Sequence, residues 1–350
     1  MTPRVTVSKP IRPSKSIIDT DDERCRYIHA FMSLWSGGED KWKFSSTLPH
    51  YPGCNPRSIS RRDVKYINER DCLITLKSDG VRYALFLTVR PSSPGSAVAL
   101  MIDRSWNMFE IEVVASEDYF CRGTILEGEL VWQEPHKDRL LFLVFDAIVV
   151  CGRNLLAIPF VERFAEACQC TRLSEELMRQ DNEVEDSAVE TSTIVVVHYE
   201  PAILMRPKSF VDKVHADHLW AHRADFDHRV DGVIVHVNTD VYGTGTYKWK
   251  EHSTVDLYVG DVDLAASSTY QYHTRDGPVP EQILSRKVEF TPSCVHYTTG
   301  HVVEFLVTVE VTSIRFFAVR IRPDKTYANS SYVVNATIQD VIDDVRVNEL

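Results

Sequence analysis

Short apolar runs separated by turn formers dominate the sequence, a pattern that predicts strands more often than helices. DCLITL and VRYALFLTV flank KSDG, which predicts two strands with Lys77 in the turn between them. SAVALMID, MFEIEVV, GTILEGELVW and RLLFLVFDAIVVCG read as further strands, the last long and buried. ERCRYIHAFMSLW, VERFAEACQC and LSEELMRQ carry apolar residues at helical spacing. DNEVEDSAVET reads as an acidic linker, and TIVVVHYE and DGVIVHV return to strand. Residues 1–22, rich in Pro, Ser, Thr and Lys, predict a mobile arm, and WSGGEDKWKFSSTLPHYPGCNP predicts loop.

The pattern changes past residue 255. DLYVGDVD, KVEFT, HVVEFLVTVEV and FFAVRIR predict the short strands of a small antiparallel barrel such as an OB-fold, and NATIQDVIDDVRV predicts a closing helix. The expected fold is α+β. Its expected parts are the arm (1–22), a domain of antiparallel sheets with flanking helices (23–255) and a C-terminal OB-fold β-barrel with its helix (256–350).

Composition refines this. A length of 350 residues suffices for two domains. No apolar run approaches the ~20 residues a bilayer requires, and the basic start MTPRVTVSKPIRPSK has no apolar segment after it, so neither membrane nor secretion is expected. The formal net charge of -11 argues against a broad basic face, so any nucleic-acid contact should be a local pocket. The eight cysteines are scattered, reduced thiols are expected, and Cys168 with Cys170 is too little for a structural metal site.

Lys77 is the candidate nucleophile. A free lysine titrates near ~10.4, so its amine attacks phosphorus only where burial and nearby cations lower that value. In YKWK, Lys248 and Lys250 stand at alternate positions, which in a strand share a face, and two ammonium groups there would neutralise an α-phosphate. The plainer alternative is an edge strand guarded by lysines. Glu129 follows a glycine and Asp231 precedes one at the ends of apolar strands, positions that suit ribose hydroxyls or a hydrated Mg²⁺. Phe145 is core or a stacking platform. Arg320 and Arg322 alternate near Asp324 and Lys325, a cluster that matches either a pyrophosphate or a surface ion-pair group.

In order, KSDGVR, EGELVW, FDAIVVCG, DGVIVHV, YKWK and RIRPDK resemble the motifs of the covalent nucleotidyltransferase superfamily of ATP-dependent ligases and GTP-dependent mRNA capping enzymes. The tryptophan of YKWK, the loop DVYGT and the segment PGCNPRSISRRD are most similar to the mRNA guanylyltransferases. The resemblance implies a nucleotidyltransferase domain in which Lys77 forms a lysyl-GMP phosphoramidate from GTP and passes GMP to a 5′-diphosphate RNA end. It implies Arg82 and Glu129 at the ribose, Phe145 on guanine, Asp231 near metal and phosphate, and Lys248 and Lys250 at the α-phosphate. Arg320, Arg322, Asp324 and Lys325 would meet the leaving pyrophosphate, and Ser78 and Lys208 would read guanine. Mg²⁺ or Mn²⁺ is the implied cofactor, with Asp231 and Glu129 as ligands. A separate RNA triphosphatase, cap methyltransferase or RNA polymerase would be partners, in the nucleus or, for a viral protein, the cytoplasm. The sequence departs from the family where Arg315, Phe316 and Phe317 stand in place of a tryptophan, and where His236-Val237-Asn238 replaces threonine-proline. The alternatives are an ATP-dependent ligase using lysyl-AMP and an inactive RNA-binding relative.

Overall fold

The computed structural model describes residues 11–15, 17–18, 20–38, 47–93, 95–135, 138–171, 193–198, 200–263, 269–291, 299–323 and 325–350. The start of the arm, the helix expected in LSEELMRQ, the acidic linker and Asp324 lie outside the described residues. The described chain clusters into two compact units. The larger holds Ile11–Arg57 and Ile67–Lys248, and the smaller holds Ser58–Tyr66 and Trp249–Glu349.

The first elements are α1 (Asp21–Ser36), β1 (Arg57–Ser58), α2 (Arg61–Asn68), β2 (Cys72–Ser78), β3 (Val81–Val89), β4 (Ala97–Ile102), β5 (Met108–Ile111) and β6 (Val113–Val114). Then come α3 (Glu117–Cys121), β7 (Thr124–Trp132), β8 (Arg139–Val150), β9 (Arg153–Asn154), α4 (Phe160–Cys170), β10 (Val195–Val196) and β11 (Ala202–Pro207). β12 (Val211–Asp212), α5 (Ala216–Ala221), β13 (Val230–Val237) and β14 (Thr246–Trp249) complete this part.

One sheet runs β11-β8-β7-β3-β4-β5, with β9 on β8. Its two faces follow from the two-residue period of a strand. Tyr83, Leu85 and Leu87 of β3 join one core with Tyr119, Phe120, Ala167 and Cys170 from α3 and α4. Ala84 and Phe86 join the other with Tyr27, Ile28, Phe31 and Trp35 from α1. A strand covered on both sides needs a continuous apolar run, which is why β8 reads RLLFLVFDAIVV. β11 pairs with β8 in parallel. AILMRP was not among the strands expected from sequence, and neither was α2, whose RRDVKYIN buries only Ile67.

A second sheet runs β1-β14-β13-β2-β12. It corrects two expectations. Lys77 belongs to the end of β2, and only Asp79 and Gly80 form the turn. β14 stops at Trp249, one residue short of Lys250, so the regular alternation expected to pair Lys250 with Lys248 on one face ends before it. Gly80 and Gly128 are both dictated by close approach. A Cβ on Gly80 would stand 2.5 Å from the Leu130 carbonyl oxygen, and one on Gly128 would stand 2.5 Å from the Phe142 ring.

The smaller unit carries β15 (Thr254–Asp263), β16 (Thr269–Thr274), β17 (Gly277–Pro278), β18 (Gln282–Ile283), β19 (Arg286–Thr291), β20 (Val302–Val309), β21 (Ser313–Ile321) and α6 (Ser331–Asp343). The strands form a seven-stranded sheet in the order β17-β16-β15-β20-β21-β19-β18, antiparallel except for β19 with β21. Its curl is consistent with an OB-fold. Val334 and Ile338 of α6 close a core built on Val255, Leu257, Val303, Phe305, Ile314 and Phe316. Ser330 caps α6 by accepting from the Val333 N–H at 3.3 Å. The chain is α+β, and among the described residues no helix is long and apolar enough to cross a membrane.

Candidate active site

β2 and β13 pair with Ser78 opposite Val230 and Lys77 opposite Gly232. Asp231 is therefore the extra residue of a β-bulge, and a bulge re-aims the side chain it carries. Asp231 Oδ1 accepts a hydrogen bond from Lys77 Nζ at 2.7 Å, with the two side chains 30% and 21% exposed. The amine's immediate partner is thus a carboxylate, where the sequence reading expected crowded cations. One cation does bear on it: Lys208 is buried, and its pKa is lowered by burial, with the charge of Lys77 adding to that. Glu129 Oε2 lies 3.5 Å from Lys208 Nζ and works the other way.

Phe145 owes its position to a second bulge. Glu127 pairs with Asp146 and Gly128 with Val144, which leaves Phe145 unmatched. It is the one half-buried residue in the buried stretch of β8, and the Arg82 guanidinium lies 5.3 Å from its ring centre. A ring half-open among enclosed neighbours is available for stacking.

Arg82, expected at the ribose, is committed inside the protein. Its Nε donates to Glu127 Oε1 at 3.1 Å, and its Nη2 donates to Glu127 Oε2 and to the Tyr242 hydroxyl. Its Nη1 donates to the Cys54 carbonyl. The Tyr51 and Tyr242 hydroxyls donate to Glu127 at 3.0 and 2.6 Å. Burial, and after it the Glu127 charge, raises the pKa of both tyrosines. Burial works against the Arg82 charge, yet Glu127 outweighs it and the pKa stands above the ordinary value.

Ser78 is a correction. It is fully enclosed, and its hydroxyl lies 3.0 Å from His228 Nε2, so it presents no surface to a base. Lys248 sits in β14, which adjoins β13, so one strand stands between it and the strand that carries Lys77. Lys250 follows the strand end in the smaller unit. In that unit Arg320 Nε donates to Glu304 at 2.6 Å, while Arg322 Nη1 is 3.3 Å from Asp256 and 3.7 Å from Glu304. Burial works to raise the Glu304 pKa, but these arginines and Thr254 hold it below the usual range. Lys325 is exposed.

Sequence reasoning missed Glu127, Tyr51, Tyr242 and Arg104. Glu127 was visible as an acid inside the apolar run ILEGELVW, where a fully buried carboxylate demands cationic or hydroxyl partners. Arg104 sits in the turn between β4 and β5, where Asp103 accepts from the Ser105 and Asn107 backbones. Burial, then Arg82, lowers its pKa, and Glu127, Tyr51 and Glu129 act in the opposite sense. That puts its charge in the field of the same cluster.

Among the described residues no three Asp, Glu, His or Cys side chains gather into an ion cage. Glu129 and Asp231 are single carboxylates, each beside a lysine. That donor set fits a divalent ion that keeps most of its water and shares a phosphate.

Comparison with known proteins completes the description. Residues 17–252 match the family described as mRNA capping enzyme, catalytic domain. The chain is 34% identical over 130 residues to the mRNA-capping enzyme subunit alpha of Neurospora crassa, covering 32% of this chain and 31% of that protein. It is 23% identical over 223 residues to the mRNA-capping enzyme of Caenorhabditis elegans, covering 59% and 33%. The alignments thus span about a third of the length of these curated relatives. Among solved structures, it is similar to "mycobacterial DNA ligase D complexed with ATP and MES" at 13% identity and a TM-score of 0.38, over 78% of this chain and 94% of that one. Lys77, the bulged Asp231, Phe145 and Lys248 all fall within the matched span, and the chain belongs to the mRNA capping enzyme catalytic-domain family.

Proposed function

We propose that the chain is an mRNA guanylyltransferase working through a covalent Lys77–GMP. The observation that carries this reading is the Lys77 amine, partly open to solvent at a strand end, oriented by the bulged Asp231 at 2.7 Å. The family assignment supports the substrate class, GTP and RNA.

In the first step the Lys77 nitrogen bonds to the α-phosphorus of GTP. The bond from that phosphorus to the β-bridging oxygen breaks, and pyrophosphate leaves with the electron pair. The amine sheds a proton, and Asp231 is within hydrogen-bond reach to take it. Lys208, held dry and close in charge to Lys77, favours anionic phosphate or the base carbonyl at the same place. Phe145 offers a face to the purine. In the second step a terminal oxygen of a 5′-diphosphate RNA attacks the same phosphorus, the P–N bond breaks, and Lys77 regains its proton. A divalent ion held through water by Asp231, Glu129 or both would add positive charge at the phosphates when bound. To Lys248, Lys250, Arg320, Arg322, Asp324 and Lys325 we assign the phosphates, the last four with the leaving group.

The test is an adduct assay with α-labelled GTP and α-labelled ATP side by side. GTP should label the protein, ATP should not, and Lys77→Ala should abolish the label. Preferential labelling by ATP points to the ligase reading, and a labelled Lys77→Ala protein ends the assignment. Run in two halves, the assay tests Arg322: Arg322→Ala should slow adduct formation more than transfer from preformed adduct, and equal loss would remove it from the leaving group.

A further inference from the structure

A second polar chain lies beside Lys77. Ser78 Oγ is 3.0 Å from His228 Nε2, and His228 Nδ1 is 3.2 Å from Asp227 Oδ1. Arg206 Nη2 donates to the same Asp227 oxygen at 2.7 Å, and Gln133 Nε2 donates to the other at 3.4 Å. The His228 hydrogen bond, with Arg206 behind it, outweighs burial and holds the Asp227 carboxyl well below the usual range. Asp227 is therefore an acceptor only, so His228 Nδ1 carries a proton toward it, and the Ser78–His228 hydrogen bond completes the chain.

Serine, histidine and carboxylate in this connection are the parts of an acyl-transfer triad. Access decides against that use. Ser78 is fully enclosed within a strand, and no carbonyl can reach its oxygen. The chain's effect must be sought on its neighbours.

Those neighbours are the two residues of the active pair. Consecutive strand residues face opposite ways, so Lys77 and Ser78 project from opposite sides of β2. Beyond the Asp231 bulge, the continuous β2–β13 ladder from Gly232 to Val237 fixes one side. The other side is short. It consists of the Ser78–Val230 pairing, the Asp79 N–H to Arg229 carbonyl bond at 2.8 Å and the Ser78–His228 bond. A slip of one residue there would carry Asp231 away from the face of Lys77.

We infer that Ser78, His228 and Asp227 are positioning residues that pin the bulge in register and so keep the Asp231 carboxylate on the Lys77 amine. The inference rests on the reading of Lys77 as nucleophile. It is tested on the full chain by single-turnover adduct formation with labelled GTP, by KM for GTP and by thermal melts. Ser78→Ala and His228→Ala should slow adduct formation roughly 10- to 100-fold, since small misplacement of reacting groups costs that much. KM should move by less than about twofold, because no nucleotide contact is removed. Ser78→Thr, which keeps the hydroxyl, should recover much of the rate. A slowly exchanging His228 Nδ1 proton should be found by NMR in the wild type and be lost in Asp227→Ala. Wild-type rates per folded molecule in both alanine variants, or a rise in KM at constant rate, would overturn the inference. If His228→Ala does not fold, Ser78→Ala, which loses one oxygen, decides alone. Lys77→Ala in the same assay separates the two levels: labelled Lys77→Ala sinks the nucleophile reading, and unaffected brace variants sink only this one.

Discussion

Asp146 and Arg163 meet through two hydrogen bonds of 2.9 Å with side chains 4% and 3% exposed, whereas Lys77 and Asp231 meet through one of 2.7 Å with 21% and 30% exposed. Both carboxylates sit at β-sheet irregularities, and both partners are cations. The first pair is bidentate, and burial pushes Asp146 up to about 6 while Arg163 pulls the other way. Separating it would leave charges in a dry core, so it belongs to the fold. The second has a single bond and a side open to solvent, so a phosphate can compete for the amine at modest cost. The contrast teaches how a sheet keeps one ion pair as a strut and leaves another exchangeable: the difference lies in bond count and access.

The largest expected effect comes from breaking the closed pair. Arg163→Ala orphans a buried carboxylate and should cost about 3–5 kcal/mol in a denaturant melt, the usual size for such a lesion. A loss under about 1 kcal/mol would mean that Asp146 is neutral or solvated and the strut reading is wrong.

The open pair should fail in the other direction. Asp231→Asn keeps the shape and removes the charge. Adduct formation should fall about 100-fold, equivalent to about 2.7 kcal/mol of barrier, while the melting temperature shifts by less than about 3 °C. If stability falls and the rate survives, the two pairs are alike and the contrast has no functional content.

A third prediction probes the dry zone around the closed pair. His236 is stacked on Phe160 at 3.9 Å between ring centres, and burial, with Arg163, Lys208 and Arg82 after it, pushes its pKa down to about 3. Its unfolded value is the ordinary ~6.5. The folded state refuses a proton that the unfolded state takes up, so stability is complete above ~6.5 and is lost as pH falls toward about 3. Between pH well above ~6.5 and pH 5 the loss should reach about 2 kcal/mol for this one site. It is read as the difference between wild type and His236→Gln, since Asp146 has the opposite slope in part of that window. Parallel pH profiles for the two proteins would sink it.

How far the sequence foretold this depends on what is local. The covered strands were legible, because the near-continuous apolar runs of VRYALFLTV and of β8 follow from burial on both faces. Lys77, Phe145 and Asp231 were legible as residues, through motifs. Their geometry was not. Phe145 and Asp231 face outward because each is a bulge, and a bulge is a property of two strands in register, which neither strand's own residues disclose. Ser78 was misread for the same reason, since its hydroxyl is claimed by His228, 150 positions away. α2 was missed because it is only eight residues long and mostly polar, burying Ile67 alone.

The smallest expected effect concerns a third pair, intermediate between the first two. Glu127 is enclosed like Asp146, but two tyrosines share it with Arg82, so no single partner carries it. Tyr242→Phe removes one donor to Glu127 and the acceptor of the Cys54 N–H at 3.1 Å and of one Arg82 Nη2 bond at 2.9 Å, while Arg82 and Tyr51 remain bonded to Glu127. The cost should be about 1 kcal/mol, the net worth of one such hydrogen bond, with adduct formation nearly unchanged. Tyr51→Phe should cost about the same, and the double variant clearly more than the sum, because the last neutral donors to a buried carboxylate are then gone. A strictly additive double variant would mean that Arg82 alone satisfies Glu127. The network would then be a closed strut of the Asp146 kind.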